Sequence, residues 1–173
     1  MNNTNPFIYS DDNKRYHTLN YYNKSSFNSK VFKAVIDAGF TCPNKDGTKG
    51  TGGCIYCMGG SGYFTEKSDG EIYDSVKRQL AAEKERIYKK HPDSLITAYF
   101  QANTNTYAPV ATLKEAYTAA LDFGVHGISI GTRADCLPDD VIALLCDINS
   151  KTHLTVELGL QTIHDKSAQI INR

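Results

Sequence analysis

Four short apolar runs, separated by stretches of helical periodicity, constrain this chain more than any other feature. The runs are VFKAVIDAGF (31–40), LITAYFQ (95–101), GISIGTR (127–133) and LTVELGLQ (154–161), all near strand length and rich in β-branched or aromatic residues. Ile72, Val76, Leu80 and Ile87 recur on one face of a helix over 71–90, with charges opposite. Leu113, Ala116, Tyr117, Ala120 and Leu121 mark a second helix, ended by Gly124. Pro138 suits the first turn of a third, where Asp139 and Asp140 complement the dipole and Val141, Leu144, Leu145 and Ile148 supply the buried face. Thr162 with Asp165 reads as a capping pair for a fourth. Strands alternating with helices imply an α/β fold, a parallel sheet with helices outside it. Such strands are expected to be buried on both faces.

The 173 residues suffice for one domain, or part of one, with a real core. Acidic and basic residues balance at nineteen each, so no global field recruits nucleic acid. No run reaches the apolar length of a membrane span, and the polar, Asn-rich start is no signal peptide. An odd count of five cysteines without a secretory signal argues against a disulfide framework and for a cytoplasmic protein. Residues 1–30 form a polar extension whose first dozen are expected to be mobile. Tyr16, Tyr21, Tyr22 and Phe27 can pack the remainder down. Residues 31–173 make up the βα domain. The chain stops inside the fourth expected helix, at Ile170-Ile171-Asn172-Arg173, so it reads as truncated, with a sheet edge left to cover.

The chemistry concentrates in residues 40–62, FTCPNKDGTKGTGGCIYCMGGSG. Cys42 and Cys54 are separated by eleven residues, Cys54 and Cys57 by two. Gly47, Gly50, Gly52 and Gly53 fill the longer gap and let the backbone curl tightly. Three thiolates from one loop can hold a metal or an iron–sulfur cluster while leaving one metal position open. An open position marks a catalytic site, whereas structural zinc sites are closed by a fourth ligand. Buried free thiols or a zinc site are the alternatives. Cys136 could serve as a fourth ligand, but reads better as a small rim hydrophobe, and Cys146 as core. In folds of this kind functional groups gather at the C-terminal strand ends. Polar residues stand at all four: Cys42; Gln101 to Tyr107; Thr132 to Cys136; and Glu157, Gly159 and Gln161.

The cysteine spacing and these strand ends together resemble the radical S-adenosylmethionine (SAM) superfamily. Its usual pattern is C-x3-C-x-Φ-C with Φ aromatic; here Cys54-Ile55-Tyr56-Cys57 keeps the aromatic, and the first gap is expanded. That expansion is similar to a branch related to the catalytic subunit of Elongator, and to its bacterial relatives. The resemblance runs from about Arg15 to Arg173. It implies a partial TIM-type (β/α) barrel, of which this chain supplies about four of six units. It also implies a 4Fe–4S cluster on Cys42, Cys54 and Cys57, with SAM on the open iron. The implied activity is reductive cleavage of SAM to a 5′-deoxyadenosyl radical that abstracts hydrogen from a substrate, with electrons from a flavodoxin- or ferredoxin-like donor.

The resemblance also assigns cofactor contacts. Tyr56 would pack near the adenine. Gln101 and Asn103 lie where the superfamily usually has a Gly-Gly-Glu-like segment that holds the SAM amino group; this chain lacks those glycines. Arg133 and Asp135 resemble a Thr-Arg-Pro-Asp motif, with Ala134 in place of Pro. An Arg there could pair bidentately with the SAM carboxylate, or simply bridge to Asp135. Glu157 and Gln161 resemble Glu-Leu-Gly-Val-Gln. A buried carboxylate must be paired, and ribose hydroxyls, an ammonium or Arg133 would serve. Lys77, Arg78, Lys84, Arg86, Lys89 and Lys90 form a basic stretch interrupted by Glu83 and Glu85, which reads as a solvated face before an RNA-binding one. The competing class is a non-enzymatic module, stabilised by zinc or a cluster, that binds RNA or protein.

Overall fold

The computed structural model describes Phe7, residues 14–57 and residues 68–173. Helix α1 (Leu19–Phe27) precedes β1 (Val31–Ile36), and α2 (Ile72–Tyr88) leads to β2 (Leu95–Phe100). Helix α3 (Val110–Phe123) leads to β3 (Gly127–Thr132), α4 (Asp139–Asn149) to β4 (His153–Leu158), and α5 (Asp165–Ile170) follows. The strands are all parallel and stand in the order β1-β2-β3-β4, Ala34 level with Ala98 and Ala98 with Ile128.

Each crossover moves one strand further in the same direction. With the usual right-handed connection, that puts every crossover helix on one side of the sheet. Ala34, Ile36, Ile96, Ala98, Phe100, Ile128 and Ile130 face that side and form the core with Val76, Leu80, Leu113, Tyr117, Leu144 and Ile148. The expectation of strands buried on both faces holds for β3, where Ser129 as well as Ile128 and Ile130 is buried, and is corrected for the outer strands β1 and β4. Along β1 and β2 burial alternates, and Lys33, Val35 and Tyr99 on the other face are only half-buried. A Lys33–Glu157 ion pair links the two outer strands across that open face. A flat sheet would hold those strands roughly 14 Å apart. The sheet is thus curled, helices on its convex side and Lys33 and Glu157 in its hollow.

Helix α1 closes the lower end of this hollow. Its Phe27 meets the rings of His126 and His153 edge-on at 4.4 and 5.1 Å. Thr18 caps it by accepting the Tyr21 N–H at 3.0 Å, and Asn28 ends it in the left-handed region at φ 50°. Sequence periodicity misses this helix because among its residues only Asn23 is buried. Tyr22 packs edge-on against Phe27, whereas Tyr16 is exposed. The first dozen residues, Phe7 apart, lie outside the described residues.

Other boundaries shift for local reasons. Strand β1 stops at Ile36 because Asp37 accepts the Gly39 N–H at 2.9 Å and Gly39 turns at φ +74°. Gln161, at φ +70°, lies beyond the end of β4. Pro138 occupies the N-cap of α4, one position outside the helix. Thr162 accepts the His164 N–H at 3.1 Å, so His164 caps α5 and the Thr162–Asp165 pair does not form. Cys146 is exposed, not core: a step of about 100° per residue turns it off the Val141–Leu144–Leu145–Ile148 face.

Fully buried Tyr117 carries this packing up to the strand ends, its hydroxyl donating to the Asn105 carbonyl. Burial pushes its phenol well above the ordinary range, so the proton stays in place. Replacing Tyr117 with Phe leaves that carbonyl without its donor and should cost roughly 1–3 kcal/mol. Urea denaturation would read this as a lowered midpoint at unchanged slope; parental stability would show the bond to be dispensable.

Candidate functional site

The long gap in the cysteine pattern is consumed by a hairpin. The Cys42 carbonyl accepts the Lys45 and Asp46 N–H groups at 2.8 and 3.2 Å, and the Pro43 carbonyl those of Lys49 and Gly50 at 2.8 and 3.1 Å. Asp46 pairs antiparallel with Thr51, and the Gly53 N–H reaches the Asn44 carbonyl at 2.8 Å. The chain thus returns to its starting point just as it reaches Cys54. Gly53, at φ +77°, allows the close approach: a Cβ there would lie 3.1 Å from Lys45 Cε and 3.8 Å from Cys57 Cβ. Cys42 and Cys54 are buried and Cys57 is exposed. Among the described residues no three His, Cys, Asp or Glu side chains are gathered closely enough to hold a metal ion. The end of the glycine-rich stretch, 58–62, lies outside the described residues.

Side chains from other elements pin this hairpin. The Asn44 amide donates to Cys54 Sγ at 3.5 Å and to the Asn172 carbonyl at 2.7 Å. Asn172 returns an amide bond to the Gly53 carbonyl at 2.7 Å, and the Ile55 N–H bonds the Ile171 carbonyl at 3.1 Å. On the opposite side, Lys45 Nζ donates to Asn103 Oδ1 at 2.6 Å, and Asn103 donates to the Phe40 carbonyl at 2.7 Å. Asn103, at φ +61°, therefore clasps the loop to the end of β2.

Arg133 and Asp135 form a two-pronged bridge, Nε to Oδ1 at 2.8 Å and Nη2 to Oδ2 at 2.7 Å. Lys49 from the hairpin adds a bond to Asp135 Oδ2 at 2.6 Å. The Arg133 hydrogen bonds, with Lys49, hold the Asp135 carboxyl well below its usual range. The same Asp135 bonds hold Arg133 protonated. Arg133 is 7 % exposed, and its third nitrogen, Nη1, is buried without a partner. The guanidinium lies close to Cys42 and Cys136. Cys136 is buried, its thiol pushed up by burial and by the Asp135 carboxylate. Beside this group opens a cleft of about 900 Å³, walled by Pro43, Lys49, Tyr107, Pro109, Leu137 and Val141 among others.

Glu157 pairs neither with Arg133 nor with open space. It accepts from Lys33 and, at 2.8 Å, from the Tyr99 hydroxyl, while Lys33 Nζ lies 3.8 Å over the Tyr99 ring. Burial pushes the carboxyl up, but Lys33 and Tyr99 outweigh it and the net direction is down. Burial and the Glu157 bond push the Tyr99 phenol up to about 12. Gln101 and Gln161 are exposed. Tyr56 is 48 % exposed beside Cys54 and Cys57, its phenol pushed up by burial and by Cys54. The structure thus brings Cys42, Arg133, Asp135 and Cys136 together, with Cys54 and Tyr56 on the loop above. It keeps Glu157 apart in the hollow. On the basic stretch Arg86 bridges Glu83 at 2.7 Å and Lys89 bridges Glu85 at 3.0 Å, while Lys77 and Lys84 lie over aromatic rings.

Sequence reasoning missed Asn44, Lys45, Lys33, Tyr99 and Asn172. For Lys33 and Tyr99 a signal existed: each breaks an apolar run at a position of strand alternation. For the others there was none, because their partners are distant in sequence.

No family model matches the chain. It is 50 % identical over 175 residues to the uncharacterized protein YtqA of Bacillus subtilis, a match that covers all of this chain and 53 % of that one. Protein YhcC of Escherichia coli K12 is 39 % identical over 149 residues, which cover 85 % of this chain and 46 % of YhcC. The uncharacterized protein MJ0486 of Methanocaldococcus jannaschii is 35 % identical over 159 residues, 88 % of this chain and 46 % of MJ0486. The chain spans about half the length of the curated relatives it matches.

The Asp135 bridge predicts an acid dependence. A carboxyl held below its unfolded value, about 3.9, contributes stability that is complete above that pH and lost as pH falls toward the folded value. Thermal melts of the parent should therefore fall from about pH 4 downward, and Asp135→Asn, already lacking that contribution, should fall less steeply. Equal slopes in the two proteins would rule the bridge out as the acid-sensitive element.

Proposed function

We propose that this chain belongs to a radical SAM enzyme, with Cys42, Cys54 and Cys57 as the ligands of a 4Fe–4S cluster. One observation carries the reading: the hairpin brings Gly53, the neighbour of Cys54, back to Asn44, two residues after Cys42, and Cys42 lies beside a buried Arg133 that has a nitrogen without a partner. The donor set fits a cluster, being three thiols on a loop with no fourth ligand of its own. The orphaned Nη1 fits a carboxylate, which a buried guanidinium donor binds strongly in a water-poor setting. The curl of the sheet supports the finer reading of a partial TIM-type barrel.

When bound, the cluster and SAM supply one-electron chemistry that ends in hydrogen-atom abstraction. The chain's residues bind and orient. Arg133, held by Asp135, presents Nη1 to the SAM carboxylate. Tyr56 offers a ring beside the cysteines for the adenine. Asn103 holds the loop rather than the ligand, and Glu157 stays ionised in the hollow where the substrate would lie. No helix among the described residues is long and apolar enough to cross a membrane. A soluble flavodoxin- or ferredoxin-like protein is the electron donor this reading calls for, with the exposed Cys57 side of the loop as its approach.

The test uses the full-length protein, reconstituted anaerobically. It should carry about four irons per chain and lose them on Cys→Ala change at position 42, 54 or 57. With dithionite and SAM it should form 5′-deoxyadenosine. Arg133→Met should keep the iron and weaken SAM binding roughly 10- to 100-fold, the worth of a hydrogen bond to a charged group. A colourless protein with one tightly bound zinc would support a structural module instead, and an intact cluster without 5′-deoxyadenosine would defeat the enzymatic reading.

A further inference from the structure

The hairpin between Cys42 and Cys54 does more than span the gap. Asn44 is 5 % exposed, and its amide points at Cys54 Sγ, 3.5 Å away. The same amide donates to the Asn172 carbonyl at 2.7 Å, which fixes it in that aim. Lys45, the next residue, lays its stem over Gly53 next to Cys57, and its ammonium is fixed by Asn103 at 2.6 Å. Asn103 is itself anchored to the Phe40 carbonyl, two residues before Cys42. The ammonium is therefore tied between the cysteine loop and the end of β2.

We infer that Asn44 and Lys45 are tuning residues for the metal centre proposed above, on which this inference rests. Taking up one electron from a low-potential donor adds one negative charge to the thiolate-ligated centre. Hydrogen bonds to the sulfurs and fixed positive charge nearby favour the reduced form, and so raise the reduction potential. Both residues come from the expanded gap, so the eleven intervening residues supply the centre with its electrostatic surroundings as well as its ligand spacing. Neither touches the reacting atoms; they act through Cys54 and through the field.

The test is a dithionite titration of the reconstituted full-length protein, followed by electron paramagnetic resonance, on the parent and on Lys45→Met, Lys45→Arg, Asn103→Asp and Asn44→Leu. Lys45→Met should keep its iron and shift to a more negative midpoint potential. Lys45→Arg, which keeps charge and clasp, should stay at the parental value. Asn103→Asp tolerates the same backbone and sets a carboxylate against the ammonium, so it should shift in the same direction as Lys45→Met. Asn44→Leu should shift that way too, and if it loses iron because Asn44 also holds Asn172, the Lys45 and Asn103 variants decide. Full iron and a parental potential in both Lys45→Met and Asn103→Asp would overturn the inference while leaving the proposed function standing. A parent that takes up no iron would overturn both.

Discussion

A polar group taken out of water must find a partner inside the protein, and this requirement organises the C-terminal rim of the sheet. Thr106 and Thr132 share a hydroxyl bond at 2.6 Å, and Asn105 donates its amide to the Gly131 carbonyl at 3.0 Å. These tie the loop after β2 to the end of β3. Asn44 and Asn172 exchange bonds between the cysteine hairpin and the segment after α5, and Lys45 and Asn103 do the same toward β2. Each bond joins two elements, so the rim is a mesh in which no loop is positioned by its own sequence alone. The apolar face beneath it only sets the level at which the mesh is strung. Such a mesh can hold catalytic groups still, because displacing any one of them leaves a buried partner unpaired.

How much of this could be read beforehand follows from the range of each interaction. The helices over Ile72–Tyr88, Val110–Phe123 and Asp139–Asn149 were legible because their apolar faces repeat within the segment itself. Gly124 at the end of α3 was legible for the same reason, since a left-handed cap at φ 83° is a local demand. Cys146 was misplaced by a rule of proximity, when the helical angle should have decided. The parallel sheet was legible, but the placing of all three crossover helices on one face was not. That depends on the direction in which successive crossovers step, and strand composition does not record it. Helix α1 was lost because it is held by Phe27 against His126 and His153, about a hundred residues further on. In the candidate site the Arg133–Asp135 bridge was legible, as two opposite charges two residues apart at a strand end. The distant pairs were not, since nothing near Asn44 announces Asn172, and nothing near Glu157 announces Lys33.

The expected site residues also separate by what they have left to offer. Glu157 has two donors already, from Lys33 and Tyr99, and its carboxylate is satisfied without a ligand. Asn103 spends its oxygen on Lys45 and an amide hydrogen on Phe40. Arg133 is different: two nitrogens are committed to Asp135, which fixes the plane of the guanidinium, and the third is buried with nothing to bind. An arginine so arranged is costly on its own terms, since a stranded charged donor is worse than none. A bridge to Asp135 alone could have been built in solvent at no such cost. The buried third nitrogen makes sense where a ligand completes it, and its position beside Cys42 puts that ligand at the cysteine loop. The function proposed above would supply one, the amino-acid carboxylate of a sulfonium cofactor serving as the acceptor for Nη1.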